Sequence, residues 1–330
     1  MPQRVLLIGA TGRLGRHFVD ALKEKEHQVV ALVRTGAQGA ASPDRRLLLD
    51  RFASAGVELF QGSLEDEEGL DRACRDVDAV VSCVDHRPDS LRLQANLARA
   101  ASRSDSVGRI IPSQFGIDSR VYGEARVDHG DVKRELQRVF ADCGTPVTFV
   151  HTMGLAGEWI GSLGQLGLRE PPREEIEVYG DGDVRFSTVA PEDAARYAVR
   201  ALFDPRAADR HVSIVPADNL LTQHDLIDLW EAKLGATLRR RTVSAAALDA
   251  RIAGLSADPA CRPQLAMAQL VRAAWIDGHG DGRRLPDVLG LVDLYPDLDY
   301  VRASAFLHRY LPREPIAAAP HVGAAAGIAQ

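Results

Sequence analysis

The stretch that decides the fold is RVLLIGATGRLG, residues 4–15, close to the start of the chain. Its first five residues are an apolar, β-branched run typical of a buried strand, and the residues after it have helical periodicity. Between them, Gly9, Gly12 and Gly15 form the pattern GxxGxxG at a strand-to-helix turn. One glycine allows a tight turn, another lets backbone amides approach a ligand, and the third lets helix and strand pack closely. The stretch therefore predicts the first β-α unit of a parallel sheet.

The rest of the first half repeats this alternation, which favours an α/β fold with a doubly wound, Rossmann-type parallel sheet. Beyond about residue 157 the segments become less regular, with loop and hairpin-turn chemistry. We expect a sheet domain at 1–155, a smaller C-terminal α/β substrate lobe at 156–314 with some segments returning to the first domain, and a mobile tail at 315–330. The predicted strands are 4–8, 28–33, 57–61, 79–84, 109–112, 147–151 and 211–215, and the predicted helices are 14–24, 46–55, 66–75, 90–103, 132–142, 190–202 and 222–234.

Composition narrows the classes of function. The chain has 330 residues, 45% of them hydrophobic and 26% charged, which is ordinary for a globular domain. A formal net charge of −6 argues against a nucleic-acid surface, and no apolar run is long enough to cross a membrane. The four cysteines form no CxxC pair, and the N-terminus lacks the pattern of a signal peptide. We therefore expect a cytoplasmic protein that binds a small molecule, and a homodimer is compatible with the sequence.

The end of the second strand indicates which dinucleotide the glycine turn binds. Sites for NADH place a carboxylate there, whereas this chain has Arg34, followed in the next loop by Arg45 and Arg46. Guanidinium groups suit the 2′-phosphate of NADPH, and the positive end of the following helix suits its diphosphate. The alternative is that these arginines are solvated surface charges.

Residues 82–84 and 112–116 follow the fourth and fifth predicted strands. Ligands of open parallel sheets bind beyond the carboxyl ends of the strands, so both stretches are expected to flank the nicotinamide half of the cofactor. Loop packing is the alternative explanation for Cys83 and Gln114. His279 has no partners at metal-ligand spacing, and no metal site is predicted.

Several motifs occur in an order that resembles the isoflavone reductase-like family, which is NmrA-like and belongs to the atypical short-chain dehydrogenases. This family includes isoflavone reductase, pinoresinol–lariciresinol reductase and phenylcoumaran benzylic ether reductase, enzymes of secondary metabolism. The resemblance covers nearly the whole chain, from about residue 4 to 311. The motifs are the glycine turn with Val33-Arg34, residues 56–64 with Ser63 where aspartate is usual, PSQFGID at 112–118, KRELQR at 133–138 with GTP at 144–146, and LYPD at 294–297.

The resemblance implies NADPH as hydride donor and Lys133 as the catalytic acid/base. Without it, Lys133 would be interpreted as a solvated surface lysine. A helix N-terminus and desolvation both disfavour an ammonium group, so a lysine placed there can exchange protons near neutral pH. The usual YxxxK pair of short-chain dehydrogenases is absent, because Arg126 stands four residues after Tyr122. This absence is typical of the atypical branch.

Two sets of site residues follow from the motifs and the resemblance. His129 lies one helical turn before Lys133 and is a candidate second proton carrier, or an exposed loop histidine, whereas Asp128 and Asp131 are interpreted as helix caps. The predicted cofactor contacts are Gly9, Thr11, Gly12, Arg13, Leu14, Gly15, Arg34, Arg45, Ser82, Val84, Gln114, Phe115 and Lys133. The predicted substrate contacts are His129, Met153, Leu155 and Arg272, of which the last three replace a family amide, aromatic and histidine.

Other departures from the family pattern are Gln114, in place of a glutamate, and Gln137, in place of an arginine. Because the glycine turn and the lysine are kept while pocket positions differ, we expect the same hydride donor and a different substrate. The sequence predicts an NADPH-dependent reductase of an aromatic or polyketide-like molecule, acting on a carbonyl, an activated C=C bond or a benzylic ether. The alternatives are a non-catalytic NADP(H)-sensing regulator of the nitrogen-metabolite-repression type, and an isomerase that uses the cofactor transiently.

Overall fold

The computed structural model describes residues 1–34, 42–122, 127–285 and 287–311, so the tail predicted at 315–330 lies outside the described residues. The strands are β1 (Arg4–Ile8), β2 (Gln28–Val33), β3 (Glu58–Gln61), β4 (Ala79–Ser82), β5 (Arg109–Ile111), β6 (Thr148–His151), β7 (Gly154–Leu155), β8 (Glu175–Tyr179), β9 (Phe186–Val189), β10 (Arg210–Ser213), β11 (Leu220–Leu221), β12 (Arg239–Val243) and β13 (Val288–Gly290). The α-helices are α1 (Gly15–Glu24), α2 (Pro43–Ser54), α3 (Glu67–Ala73), α4 (Pro88–Arg92), α5 (Gln94–Ser102), α6 (Gly130–Ala141), α7 (Ala156–Trp159), α8 (Pro191–Leu202), α9 (Gln223–Leu234), α10 (Ala245–Ser256), α11 (Arg262–Val271), α12 (Leu291–Leu294) and α13 (Ala303–Leu307).

The central sheet is parallel, with the strand order β3-β2-β1-β4-β5. A bridge between Ile110 and Val147 joins it to a second parallel set, β6-β10-β13. Within β1, Val5 and Leu7 face one hydrophobic core while Leu6 and Ile8 face the other. Strands covered by helices on both faces read as nearly continuous apolar runs, as this one does from Val5 to Ile8. The predicted doubly wound sheet is confirmed.

The helices cover the two faces in separate groups. Helices α1, α2 and α8 pack on one core, and α3, α5 and α6 pack on the other. Because α8, β10 and β13 come from the second half of the chain, later segments do return to the first domain. The boundaries at 155 and 314 stay a prediction. The helix predicted at 90–103 begins earlier, at Pro88, because proline suits the first position of a helix. It is also divided at Leu93 into α4 and α5.

The remaining elements form a smaller lobe beside the carboxyl ends of β4, β5 and β6. Its core contains Trp159, Phe186 and Trp275, whose rings contact one another, and a second cluster around Trp230. Helix α9 begins with a capping box formed by Thr222 and Asp225, which fixes its start where the sequence predicts it. None of the described helices combines the length and apolar character that crossing a bilayer requires.

Candidate active site

Two glycines of the turn, Gly9 and Gly15, leave no room for a Cβ. Gly9 has φ +77°, and a Cβ added there would lie 2.5 Å from the carbonyl oxygen of Cys83. A Cβ at Gly15 would overlap the carbonyl oxygen of Gly9. The first helix starts after Leu14 without a side-chain cap. The backbone N–H groups of Arg16 and His17 donate to the carbonyl oxygens of Gly12 and Leu14, so the helix offers a ligand the positive end of its dipole. This cradle fits a diphosphate group.

Three polar side chains near this edge of the sheet have unused hydrogen-bonding groups. Arg34 is exposed at the end of β2, and Arg45 lies in the first turn of α2 with a buried Nε that has no partner among the described residues. Ser82 ends β4 opposite Ile8, next to the glycine turn, and its buried hydroxyl is also unpartnered within the described ranges. Unpaired guanidinium and hydroxyl groups suit phosphate and ribose oxygens. Cofactor contacts through Arg34, Arg45 and Ser82 stay predictions.

Arg13 of the glycine turn forms an ion pair with Glu158 of α7, with 2.6 Å between Nη2 and Oε1. The pair therefore links the predicted cofactor site to the smaller lobe. The Arg13 side chain is 78% exposed, so the pair contributes at most about 1 kcal/mol. Sequence analysis assigned no role to Glu158, because nothing in the motif indicates its partner.

Lys133 lies in the first turn of α6 and is 1% exposed. Its Nζ donates a hydrogen bond of 2.6 Å to the carbonyl oxygen of Phe115, in the loop after β5. Burial lowers the pKa of Lys133 from 10.5 to about 7, against the opposing charge of Asp118. The interpretation as a solvated surface lysine is wrong, and the amine is able to give or take a proton near neutral pH.

Two polar side chains that share the Lys133 cavity, His129 and Tyr122, are uncharged. His129 is buried at the start of α6, its ring 5.2 Å from that of His86, and burial lowers the pKa of His129 to about 2. Tyr122 is also buried, and its hydroxyl has no partner in the part of the chain that is described. The alternative of an exposed loop histidine is therefore wrong for His129. A neutral imidazole and a phenol can donate to or accept from a ligand without adding charge.

These side chains line a cavity of about 40 Å³, little more than the space of one water molecule. Arg272 is not among the lining residues, because its guanidinium pairs with Asp249 at 2.8 Å and with Asp277. A larger groove of about 620 Å³ lies beside the N-terminus and α8, and it contains none of the predicted site residues. The small cavity is lined by His86, Phe115, Gly116, Ile117, Tyr122, His129, Lys133, Met153, Leu155, Glu158, Trp159 and Leu270.

Two interpretations near α6 change once the fold is known. Gln114 is buried. Its side-chain amide donates to the carbonyl oxygen of Lys133 at 3.2 Å and accepts from Gln137 at 3.3 Å, so it links the loop after β5 to α6. Asp128 does not cap the helix. It pairs with Gln269 of α11, while Asp131 pairs with Arg134 and the N-cap is His129, with no side-chain cap bond.

A polar cluster that the sequence did not indicate lies near Lys133. Asp118 and His151 are buried, and His211 is partly buried. The side-chain ligand atoms of Asp118, His151 and His211 lie within 4.8 Å of one another, a spacing that a metal ion can use. However, the guanidinium of Arg120 already donates a hydrogen bond of 2.6 Å to Oδ2 of Asp118, and the imidazoles of His151 and His211 hydrogen-bond to each other at 2.9 Å. We therefore treat the cluster as a charge network and assign no metal to it.

Comparisons with known proteins identify the family of this chain. Residues 1–276 match the NmrA-like family. Phenylcoumaran benzylic ether reductase Betv6 of Betula pendula is 30% identical over 312 residues, covering 93% of this chain and 98% of that protein. Isoflavone reductase homolog IRL of Zea mays is 32% identical over 314 residues, with the same coverage of 93% and 98%. The solved structure of AtPrR2 with NADP+ and (+)-pinoresinol has a TM-score of 0.86 at 29% identity and covers 94% of this chain and 99% of its own. The resemblance deduced from the motifs is confirmed, and the chain belongs to the NmrA-like family.

Proposed function

We propose that this chain is an NADPH-dependent reductase of an aromatic small molecule and that Lys133 is its general acid/base. The observation that carries the proposal is the buried Lys133 amine, whose pKa is about 7, at the carboxyl edge of a sheet that also carries a glycine turn. Among the relatives, phenylcoumaran benzylic ether reductase Betv6 is named for its reaction, and AtPrR2 is solved with NADP+ and (+)-pinoresinol. Both names fit a reductase site of this kind.

The residues around the glycine turn fit NADPH. Gly9, Gly12 and Gly15 would receive the diphosphate at the start of α1, and Arg34 and Arg45 would receive the 2′-phosphate. When bound, NADPH supplies a hydride to the substrate.

Lys133 handles the proton that accompanies this reduction. As an ammonium group it donates a proton to an oxygen that gains negative charge, whether a carbonyl, an enolate or a cleaved benzylic ether oxygen. As a neutral amine it accepts a proton from a phenol. The Phe115 carbonyl oxygen fixes the position of Nζ, so the proton is given and taken at one place.

The other side chains of the pocket bind and enclose the substrate. His129 and Tyr122 are uncharged hydrogen-bonding groups, while Met153 and Leu155 supply apolar surface. Since the cavity of about 40 Å³ is smaller than an aromatic ring, substrate binding has to move some of its lining side chains. A substrate different from those of the relatives is expected, because Met153 and Leu155 stand where the family pattern has an amide and an aromatic side chain.

The proposal is tested by measuring NADPH oxidation with (+)-pinoresinol and a panel of aromatic ketones, enones and benzylic ethers. Lys133→Ala should abolish turnover while NADPH binding, followed by fluorescence, stays within about twofold of the parent. Unchanged turnover in this variant would remove Lys133 from the mechanism. Tight NADPH binding with no oxidation by any compound would favour the sensing regulator instead.

The free cysteines support a reducing compartment, and we propose the cytoplasm. The homodimer considered from the sequence stays a prediction, tested by light scattering.

A further inference from the structure

The loop after β5 places one fully buried carboxylate close to Lys133. Asp118 is 0% exposed and lies three residues after Phe115, whose carbonyl oxygen accepts the Lys133 hydrogen bond. The next residue, Ser119, uses its carbonyl oxygen to accept a bond of 2.6 Å from Nη1 of Arg134. The loop is thus fastened to α6 on both sides of Asp118, by two consecutive residues of that helix. This arrangement fixes the place of the Asp118 carboxylate relative to the Lys133 amine, and the two charges interact.

Asp118 is held in its ionised form. Its Oδ2 accepts bonds of 2.8 and 2.6 Å from Nε and Nη2 of Arg120, and its Oδ1 accepts one of 3.0 Å from the Arg120 backbone N–H. Burial favours the neutral carboxyl, but His151 and these contacts from Arg120 keep the pKa of Asp118 below its ordinary value. Burial also lowers the pKa of His151 to about 3, so its imidazole adds no charge at neutral pH.

The other titratable groups around Lys133 do not supply a counter-charge. His86 follows β4, Tyr122 follows the 3₁₀ turn after Asp118, His129 precedes α6 and His151 ends β6, and each is an imidazole or a phenol. Glu158 of α7 lines the same cavity, but its carboxylate is paired with Arg13. In the described part of the chain, Asp118 is therefore the buried negative charge that opposes desolvation of the Lys133 ammonium.

We propose that Asp118 is a positioning residue whose carboxylate supplies the counter-charge that allows Lys133 to hold a proton inside the closed pocket. This inference rests on the proposed role of Lys133 as acid/base. Arg120 shares the same carboxylate oxygen and moderates its effect, so the two residues act on Lys133 in opposite directions. The network fits such tuning because neither Asp118 nor Arg120 lines the cavity, so substituting either one changes charge without removing a reacting group.

The chain offers an unusually direct measurement, because Lys23, Lys25, Lys133 and Lys233 are its only lysines. Labelling with lysine that carries ¹³C at Cε gives one NMR signal for each, and Lys133 is the buried one. The pKa of Lys133 is read from the pH dependence of its signal, without any substrate. The other three signals are internal controls in every sample.

Asp118→Asn removes the charge and keeps an oxygen for the Arg120 backbone N–H. We expect the pKa of Lys133 to fall by roughly one unit in this variant, as for loss of a nearby opposite charge. Arg120→Gln should raise it, because the carboxylate then acts on Lys133 unopposed. The matched control is Asp193→Asn, which removes another buried, arginine-paired carboxylate on α8 and should leave the Lys133 titration unchanged.

An unchanged Lys133 pKa in folded Asp118→Asn would overturn the proposal. If Asp118→Asn does not fold, Arg120→Gln decides, and a fall or no change in the Lys133 pKa there would overturn it equally. Failure of the proposed function is separate. A Lys133→Ala variant that still oxidises NADPH with substrate would reject the catalytic role, whatever the NMR titrations show.

Discussion

Replacing Lys133 with methionine tests the burial of the amine through protein stability. The substitution keeps an unbranched side chain and removes the titratable nitrogen. Burial lowers the pKa of Lys133 from 10.5 to about 7, so the folded chain releases this proton near neutral pH while the unfolded chain holds it up to pH 10.5. Between those values the unfolded state binds more protons, and stability of the parent rises with pH. The amine therefore destabilises the fold most at low pH.

The magnitude follows from about 1.4 kcal/mol for each pKa unit. Burial of the amine costs about 5 kcal/mol below roughly pH 6, and only about 2 kcal/mol near pH 9. Removing Nζ leaves the Phe115 carbonyl oxygen without its donor, which costs about 1–3 kcal/mol at any pH. Lys133→Met should therefore be more stable than the parent by about 3 kcal/mol near pH 6 and about equal to it near pH 9.

Urea unfolding of both proteins at the two pH values measures this difference, with Lys23→Met as a control for loss of an ordinary lysine. The control should differ from its parent by the same small amount at both pH values. A stability difference for Lys133→Met that does not shrink as the pH rises would refute the burial-driven shift, even if the variant is inactive.

Four further outcomes are expected. Arg34→Ala should weaken NADPH binding by roughly tenfold or more and leave NADH binding nearly unchanged in fluorescence titrations, and equal weakening would exclude the 2′-phosphate contact. Tyr122→Phe should change the free energy of unfolding by less than about 1 kcal/mol, because the hydroxyl has no partner among the described residues, and should raise KM if that hydroxyl binds substrate; an unchanged KM would exclude the contact. Glu158→Gln breaks an exposed pair and should alter stability in urea by no more than about 1 kcal/mol, so a larger loss would show that the link to Arg13 matters for folding. Gly9→Ala should abolish NADPH binding, since its φ of +77° and the Cys83 carbonyl leave no room for a Cβ, and binding at the parental level would contradict the cradle.

The fold was predictable because its signals are local. Alternating apolar runs and helical faces predicted the central parallel strands to within a few residues, and the glycine turn marked where β1 ends and α1 begins. Boundaries were less accurate where one residue changes the local geometry. Pro88 starts a helix earlier than periodicity alone predicts, and Leu93 separates two helices that the sequence presents as one.

Residues of the site were predictable only where they belong to a motif of the family. Lys133 follows from the family pattern, but its burial and its bond to Phe115 depend on how α6 packs against the loop after β5. Asp118, His151 and His211 come from three separate segments that meet only in the folded sheet, so no spacing in the sequence indicates their cluster. Arg272 is the opposite case. The resemblance to the family predicted it as a substrate contact, whereas in the structure its guanidinium forms ion pairs with Asp249 and Asp277.

Two departures from the family pattern, Gln114 and Gln137, are joined by a single hydrogen bond. The family has a glutamate and an arginine at these positions, and here two buried amides hydrogen-bond across 23 residues of chain. The double replacement therefore leaves the net charge around Lys133 as the family has it. Differences in substrate are then expected to arise from Met153 and Leu155, which line the cavity, and not from the two glutamines, which do not.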